Sequence, residues 1–523
     1  MYAVDVNVAN LLAGPLADRA QEVALVDGTD HARRTTFAEL DVAARRMSAR
    51  LRSDGLRAGA HALFFAPPSA DLYAALVAVW RIGAVATFVE PSAGRAVLDA
   101  ACARCRPHAF IASPKAHLLR AVSPGLRAIP RKYVIGSALR VAKSLRNVSI
   151  APDEAVATVH ADDLALLTFT SGSTGSPKGA KRSHAILRAQ LTALSAAFAA
   201  KRGERELVAL PIVVLLNLAN GVETVLPDAD LSRADAIDAR RVLEQIRTLQ
   251  VTRLVGSPAF MERLADCSAA SAALAKVHTI VTGGGPVFPD LVQRLRQVAP
   301  SATVISVYGS TEAEPIAHIA NHEVSEADLH AMTRGGGLLT GHPVNDVQLR
   351  LLRITVAPIA VDSDMEFDTL SVHDGEAGEI VVSGSHVVTG NLGGVGDAES
   401  KIRVQDTVWH RTGDVGRLDD AGRLWLLGRI NATSSDARGT FYPFTVECAA
   451  RMTLGVRRVA AFARDGRRVL VLERDDLREP SASTAQAQLS WASLDDVLIV
   501  KKIPMDKRHN SKVDYPALWR LLS

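Results

Sequence analysis

Cysteine is scarce in this chain: four residues, at 102, 105, 267 and 448, among 523. So few in so long a chain fit a reducing compartment rather than a disulfide scaffold. Two of them share C-x-x-C spacing in "CARC" (Cys102–Cys105). No second Cys or His pair stands nearby to complete a tetrahedral metal site, and the Ala-rich surroundings read as helix. A strong excess of one charge is also missing. Sixty Lys and Arg against 56 Asp and Glu leave a formal +4, too even for a nucleic-acid footprint. Long clean apolar runs are absent as well. Arg81 interrupts the window 72–89 and Pro211 interrupts 207–222, so both suit buried helix or strand better than a membrane span. The first residues lack a basic leader followed by a long apolar core. Together these absences lead us to expect a cytoplasmic protein that binds no nucleic acid and does not span a membrane. No internal repeat or extended low-complexity segment is present.

What the chain does have is material for a large core. Apolar residues make up 48% and charged residues 22%, and the length implies a large domain plus at least one smaller one. Helical periods alternate with short β-branched runs. "TFAELDVAARRMSARLRSD" (36–54) has helical spacing behind a Thr cap, and "ADLYAALVAVWRIG" runs into strand-like "AVATFVEP". "GRAVLDAACARC" leads to "HAFIAS", and "PDLVQRLRQVAP" to "ATVISVYGS". This alternation predicts an α/β domain with largely parallel sheets, whose ligands bind in loops at the carboxyl ends of strands. From about residue 347 the pattern changes. "VQLRLLRI", "GEIVVSGS" and "GRLWLLGRI" predict an antiparallel or barrel-like subdomain. The chain turns irregular at "INATSSDARGT" and resumes as a small terminal unit. We expect a large domain over 1–428, a hinge at 429–433 and a small domain over 434–523.

The chemistry-bearing residues lie in loops of this pattern. "TFTSGSTGSPKGAKRSH" (168–184) packs small polar residues ahead of Lys178. Successive small residues let backbone N–H groups approach an anion, although a plain polar turn has the same composition. The stretch does not fit the Gly-Lys-Ser/Thr phosphate loop, because Pro177 precedes Lys178 and Gly179 follows it. "TGGGP" (282–286) can bring backbone flush against a flat ligand. "YGSTEAEP" (308–315) offers an aromatic face, a hydroxyl and a carboxylate at Tyr308, Thr311 and Glu312, or else a simple strand-end turn. "HRTGDVGRL" (410–418) presents Asp414 after Gly413, suited to accepting hydrogen bonds from a sugar's paired hydroxyls. "LLGRI" adds Arg429. A basic run, "KKIPMDKRHNSKVDY" (501–515), carries Lys512 and by composition alone reads as a solvated tail.

Taken together and in this order, these motifs resemble the adenylate-forming superfamily of acyl-CoA synthetases, luciferases and peptide-synthetase adenylation domains. The resemblance spans nearly the whole chain. It implies a large amino-terminal domain of two α/β subdomains plus a small β-barrel-like subdomain, and a small mobile α+β carboxyl-terminal domain. It also implies a two-step reaction in which a carboxylate attacks the α-phosphate of ATP to give an acyl-adenylate and pyrophosphate. By matched position, Thr170, Ser171, Gly172, Ser173, Thr174, Gly175 and Lys178 would line the β- and γ-phosphates, and Glu312 would hold Mg²⁺. Gly284, Gly285, Tyr308, Gly309, Ser310 and Thr311 would line adenine and the α-phosphate. Asp414 would bind the ribose hydroxyls with help from Arg429, and Lys512 would bridge the carboxylate and the α-phosphate.

The end of the chain narrows the resemblance. Lys512 stands eight residues after Pro504 in "PMDKRHNSKVDY", a longer step than the superfamily's usual form. This looks like the olefin-pathway β-lactone synthetases, with Pro-x-Asp-x-Arg-His-Asn-x-Lys. "VLPDAD", "VTRLVGSPAFMERL", "YGSTEAEPIA" and "ARGTFYPFTVECAA" point the same way. The implied substrate is a β-hydroxy acid, whose own hydroxyl would attack the acyl-adenylate and close a β-lactone. Two alternatives remain at this point. One is transfer of the acyl group to CoA or an acyl-carrier protein; the other is a non-catalytic nucleotide-binding relative. Other enzymes of a pathway are possible partners.

Overall fold

The computed structural model describes residues 6–28, 33–90, 93–136, 141–146, 148, 150–170, 177–474, 481–506 and 511–522. It divides into two compact units, one of residues 1–232, 244–255 and 388–397 and the other of 233–243, 256–387 and 398–523.

The first unit holds the helix–strand alternation read from the sequence. Thr36 caps the helix Phe37–Ser53 in a reciprocal capping box with Glu39, which satisfies backbone N–H groups that a helix start otherwise leaves unpaired. The helix Ala70–Arg81 is buried on every side and feeds the strand Val85–Val89. One sheet runs in the order Lys143–Ser144, Arg131–Val134, Ala109–Ala112, His61–Phe65, Val85–Val89, Leu164–Thr170, Lys178–Ser183. All its pairs are parallel except the last. Arg253–Gly256, Arg205–Val208, Glu223–Val225 and Val23–Val26 form a second parallel set, edged by antiparallel Arg34–Thr36. The apolar window around Pro211 is a capped helix, Pro211–Asn220, with proline in the first turn where its missing N–H costs nothing. Cys102 and Cys105 lie in the helix Arg95–Cys105, both buried and free. Burial pushes their thiols up to about 11 and about 12, so they are inert packing groups.

In the second unit the strand Thr279–Gly283 pairs in parallel with Thr303–Ser310, and from there every neighbour is antiparallel. The order continues Ala313–Ala320, Leu338–Pro343, Leu424–Arg429, Thr407–Leu418, Gly378–Ser383, Gln348–Leu352. Antiparallel pairing therefore begins earlier than the expected change near residue 347, at Thr303–Ser310 with Ala313–Ala320, and the strands after 347 extend that sheet. The irregular-looking "INATSSDARGT" forms a short helical turn and a hairpin, Ser434–Asp436 with Gly439–Phe441. Polar composition concealed that pairing. The carboxyl-terminal part is α+β. The helix Pro443–Leu454 packs on Val459–Arg464, Arg467–Glu473 and Asp496–Val500, and the helix Tyr515–Leu522 covers Phe462 and Val471. Among the described residues no helix is long and apolar enough to cross a membrane.

Candidate active site

Three glycines end the strand Thr279–Gly283, and two of them are required by close approach. A Cβ on Gly283 would stand 2.7 Å from the Val307 carbonyl oxygen of the neighbouring strand. A Cβ on Gly285 would stand 2.5 Å from the Ser511 Cβ, so the carboxyl-terminal motif rests directly on this glycine patch. Gly284 has φ of +83° and faces open space. The adjacent strand bulges between Tyr308 and Ser310. Ser310 then pairs with Ala313, leaving Thr311 and Glu312 as a two-residue hairpin turn. "YGSTE" is thus a strand end followed by a turn, in which Thr311 and Glu312 carry a hydroxyl and a carboxylate.

The third motif meets the second through side chains. Asp414 lies opposite Arg429 on the antiparallel strands Thr407–Leu418 and Leu424–Arg429. The Arg429 guanidinium sits 2.9 Å from Asp414 Oδ1, and the Tyr308 hydroxyl donates to Asp414 Oδ2 at 2.8 Å. The Asp414 N–H donates to Thr412 Oγ1 at 3.0 Å, across the tight turn that Gly413 permits at φ +70°. The Asp414 carboxylate holds the Arg429 guanidinium firmly charged, while burial and then Asp414 raise the Tyr308 hydroxyl well above its ordinary pKa. Tyr308 is therefore a permanent donor. Beneath this cluster Arg411 makes a buried two-pronged pair with Glu379, 2.6 Å at its shortest. Arg411 also donates to the Ala357 carbonyl at 2.7 Å, which anchors the strand that carries Asp414.

Lys512 occupies a closed turn. The Asp506 N–H donates to the Lys512 carbonyl at 2.7 Å, and Asp506 Oδ1 accepts from the Ser511 and Lys512 N–H groups at 3.0 and 2.8 Å. By composition this run resembled a solvated tail, but Ser511 is only 9% exposed.

In the first unit the strand Leu164–Thr170 turns back on Lys178–Ser183, with Thr170 opposite Lys178. The described strands flanking the polar stretch therefore pair antiparallel, whereas in the common phosphate loop a helix follows the strand, in keeping with the spacing's failure to fit that template. Ser171, Gly172, Ser173, Thr174 and Gly175 lie outside the described residues. Lys178 crosses Gly396, where a Cβ would meet its Nζ at 2.8 Å.

A sequence model of the family described as AMP-binding enzyme matches residues 15–392. The chain belongs to this family. Among its relatives is an olefin beta-lactone synthetase of Stenotrophomonas maltophilia, 31% identical, with 92% of this chain and 90% of the relative covered. A second, from Xanthomonas campestris pv. campestris, is 30% identical over the same shares. Two solved structures share the fold: an amide bond synthetase from Marinactinospora thermotolerans (TM-score 0.81, 20% identity, 99% and 100% covered) and ATP-bound MatB from Rhodopseudomonas palustris (TM-score 0.80, 20% identity, 99% of each covered).

Membership makes this AMP-binding enzyme an adenylate-forming ligase that uses ATP. Its second unit holds polar groups left over for a ligand. The hydroxyls of Thr282 and Ser310 are buried without a hydrogen-bond partner among the described residues, and Gly284 leaves backbone open beside them. Among the described residues no group of three or more His, Cys, Asp or Glu is arranged to hold a metal. Sequence reasoning missed Thr412, Glu379 and Asp506. All three lie in stretches quoted above, Thr412 in "HRTGDVGRL", Glu379 in "GEIVVSGS" and Asp506 in the terminal motif, but nothing in their spacing marked the contacts they make.

Proposed function

We propose that this enzyme adenylates a 3-hydroxy carboxylic acid and then closes it to a β-lactone. The supporting observation is the 31% identity to an olefin beta-lactone synthetase over 92% of the chain, a span that must extend well past the family match ending at 392. In this reading residues 1–428 bind the nucleotide, 429–433 are a hinge, and 434–523 bring Lys512 to the reaction. A carboxylate and a triphosphate repel one another, so the protein's task is positioning and charge neutralisation. Thr170, Ser171, Gly172, Ser173, Thr174, Gly175 and Lys178 hold the β- and γ-phosphates. Gly284, Gly285, Tyr308, Gly309 and Ser310 line adenine, Thr311 reaches the α-phosphate, and Asp414 with Arg429 binds the ribose. Glu312 holds Mg²⁺, which offsets phosphate charge.

Lys512 bridges the acid and the α-phosphate as the carboxylate oxygen bonds to phosphorus and pyrophosphate leaves. The substrate's own hydroxyl oxygen then attacks the acyl carbon, loses its proton and expels AMP. Tethering makes that attack intramolecular, so no thiol is required. The test is incubation with ATP, Mg²⁺ and 2-alkyl-3-hydroxy acids, with and without CoA. The expected product is lighter than the acid by one water and forms without CoA. A strict requirement for CoA or a carrier protein would instead make the enzyme a thiol ligase.

A further inference from the structure

We infer that Asp506 is a positioning residue that sets Lys512 for adenylation, a role that rests on the reading of Lys512 given above. The turn between 504 and 514 is built in two tiers. Its neck is closed by backbone alone: the Asp514 N–H donates to the Pro504 carbonyl at 2.9 Å, and Met505 bridges Val513 in antiparallel register. Among the described residues, the Asp506 side chain adds a second set of bonds. Asp506 Oδ1 accepts from both the Ser511 and Lys512 N–H groups, at 3.0 and 2.8 Å, while the Asp506 N–H returns to the Lys512 carbonyl at 2.7 Å. Both peptide groups flanking the Lys512 Cα are thereby fixed, which sets the direction in which its side chain leaves the backbone. Ser511, the other residue held, lies against Gly285. One carboxylate therefore couples the lysine's backbone to the glycine patch. The ammonium of a long flexible side chain can meet a transition state only if its root is fixed, and about 1 Å of misplacement costs roughly a hundredfold in rate.

Because one oxygen takes both N–H groups, amide and methyl replacements separate the roles. Asp506→Asn keeps that oxygen, Asp506→Ala removes it, and the neck stays closed in both. ATP–pyrophosphate exchange on the full chain, with the 2-alkyl-3-hydroxy acid that wild type turns over fastest, reads adenylation directly. Asp506→Ala is expected to lower kcat about 10- to 100-fold while the KM for ATP stays within about twofold, and Asp506→Asn to recover most of that loss. In a Lys512→Ala background, Asp506→Ala should cost nothing further, since the two act as one unit. An undiminished kcat for Asp506→Ala, or a full second loss in the double variant, overturns the assignment. Undiminished exchange for Lys512→Ala alone would instead overturn the reading of Lys512 and take this inference with it.

Discussion

On the proposed reading Lys512 and Asp414 do different work on one nucleotide, and their variants should separate accordingly. Lys512 acts on charge that develops only as the new bond forms, so Lys512→Ala should cut the adenylation kcat about a hundredfold or more with the ATP KM nearly unchanged. A parallel rise in KM would show a ground-state contact instead. Asp414 is braced by Arg429 and Tyr308, and on that reading it would accept hydrogen bonds from the ribose before any chemistry. Losing such charged hydrogen bonds, about 1.5–3 kcal/mol, should raise the ATP KM of Asp414→Ala by at least about tenfold. An unchanged KM in steady-state kinetics would remove Asp414 from the ribose site. Gly285 offers a third test of contact at this scale. Gly285→Ala adds a methyl group against Ser511, so kcat should fall even though no chemical group is removed.

At the scale of elements, the helix Pro443–Leu454 carries a buried acid that makes its packing sensitive to pH. Burial pushes the Glu447 carboxyl up to about 7, against the opposing effect of hydrogen bonds from the Ala461 N–H and the Tyr515 hydroxyl, both 3.0 Å. Its ordinary value is 4.5. Between about 4.5 and 7 the unfolded chain releases this proton while the folded chain keeps it. Stability therefore falls as pH rises through that window and levels off above it. The loss is about 3 kcal/mol at one pKa unit per 1.36 kcal/mol. Glu447→Gln keeps the accepting oxygen and should flatten this component in urea unfolding between pH 5 and pH 8. A slope equal to wild type would exclude Glu447 as its source.

At the scale of the whole molecule, an ion network centred on the buried Arg451 links helices of the second unit. Arg451 donates to Asp290 at 2.8 Å through two nitrogens and to Glu262 at 3.2 Å, and it lies 4.6 Å over the Phe288 ring. Arg458 reaches Glu262 at 2.9 Å, and Arg294 and Arg457 both reach Asp266. Burial works against the Asp290 carboxylate, but Arg451 and Arg294 together outweigh it and keep its pKa below the ordinary value. The helix Pro443–Leu454 is thereby tied to the helices Pro258–Ala265 and Pro289–Val298. Arg451→Ala would leave two partly buried carboxylates short of a partner. It should destabilise this unit by about 3–5 kcal/mol, read from the unfolding midpoint in urea. A midpoint equal to wild type would show the network to be dispensable.

The sequence by itself determined the fold class, because helical and strand periods depend on local spacing. The helix Phe37–Ser53 announced itself through its Thr36 cap and apolar stripe, and the antiparallel strands after 347 through alternation. It also pointed to the adenylate-forming class, which the family match bears out, through short motifs such as "YGSTE" and "RTGD". The register that sets Asp414 opposite Arg429, the hydroxyl of Tyr308 on Asp414, and Ser511 on Gly285 were decided only by the tertiary structure. The hairpin at Ser434–Phe441 belongs with them, because polar residues pair there without a hydrophobic stripe to reveal them. The physical reason is common to all four. Periodicity encodes which face of an element is buried, but the partner each side chain meets depends on how separate elements pack, and no spacing along the chain records that.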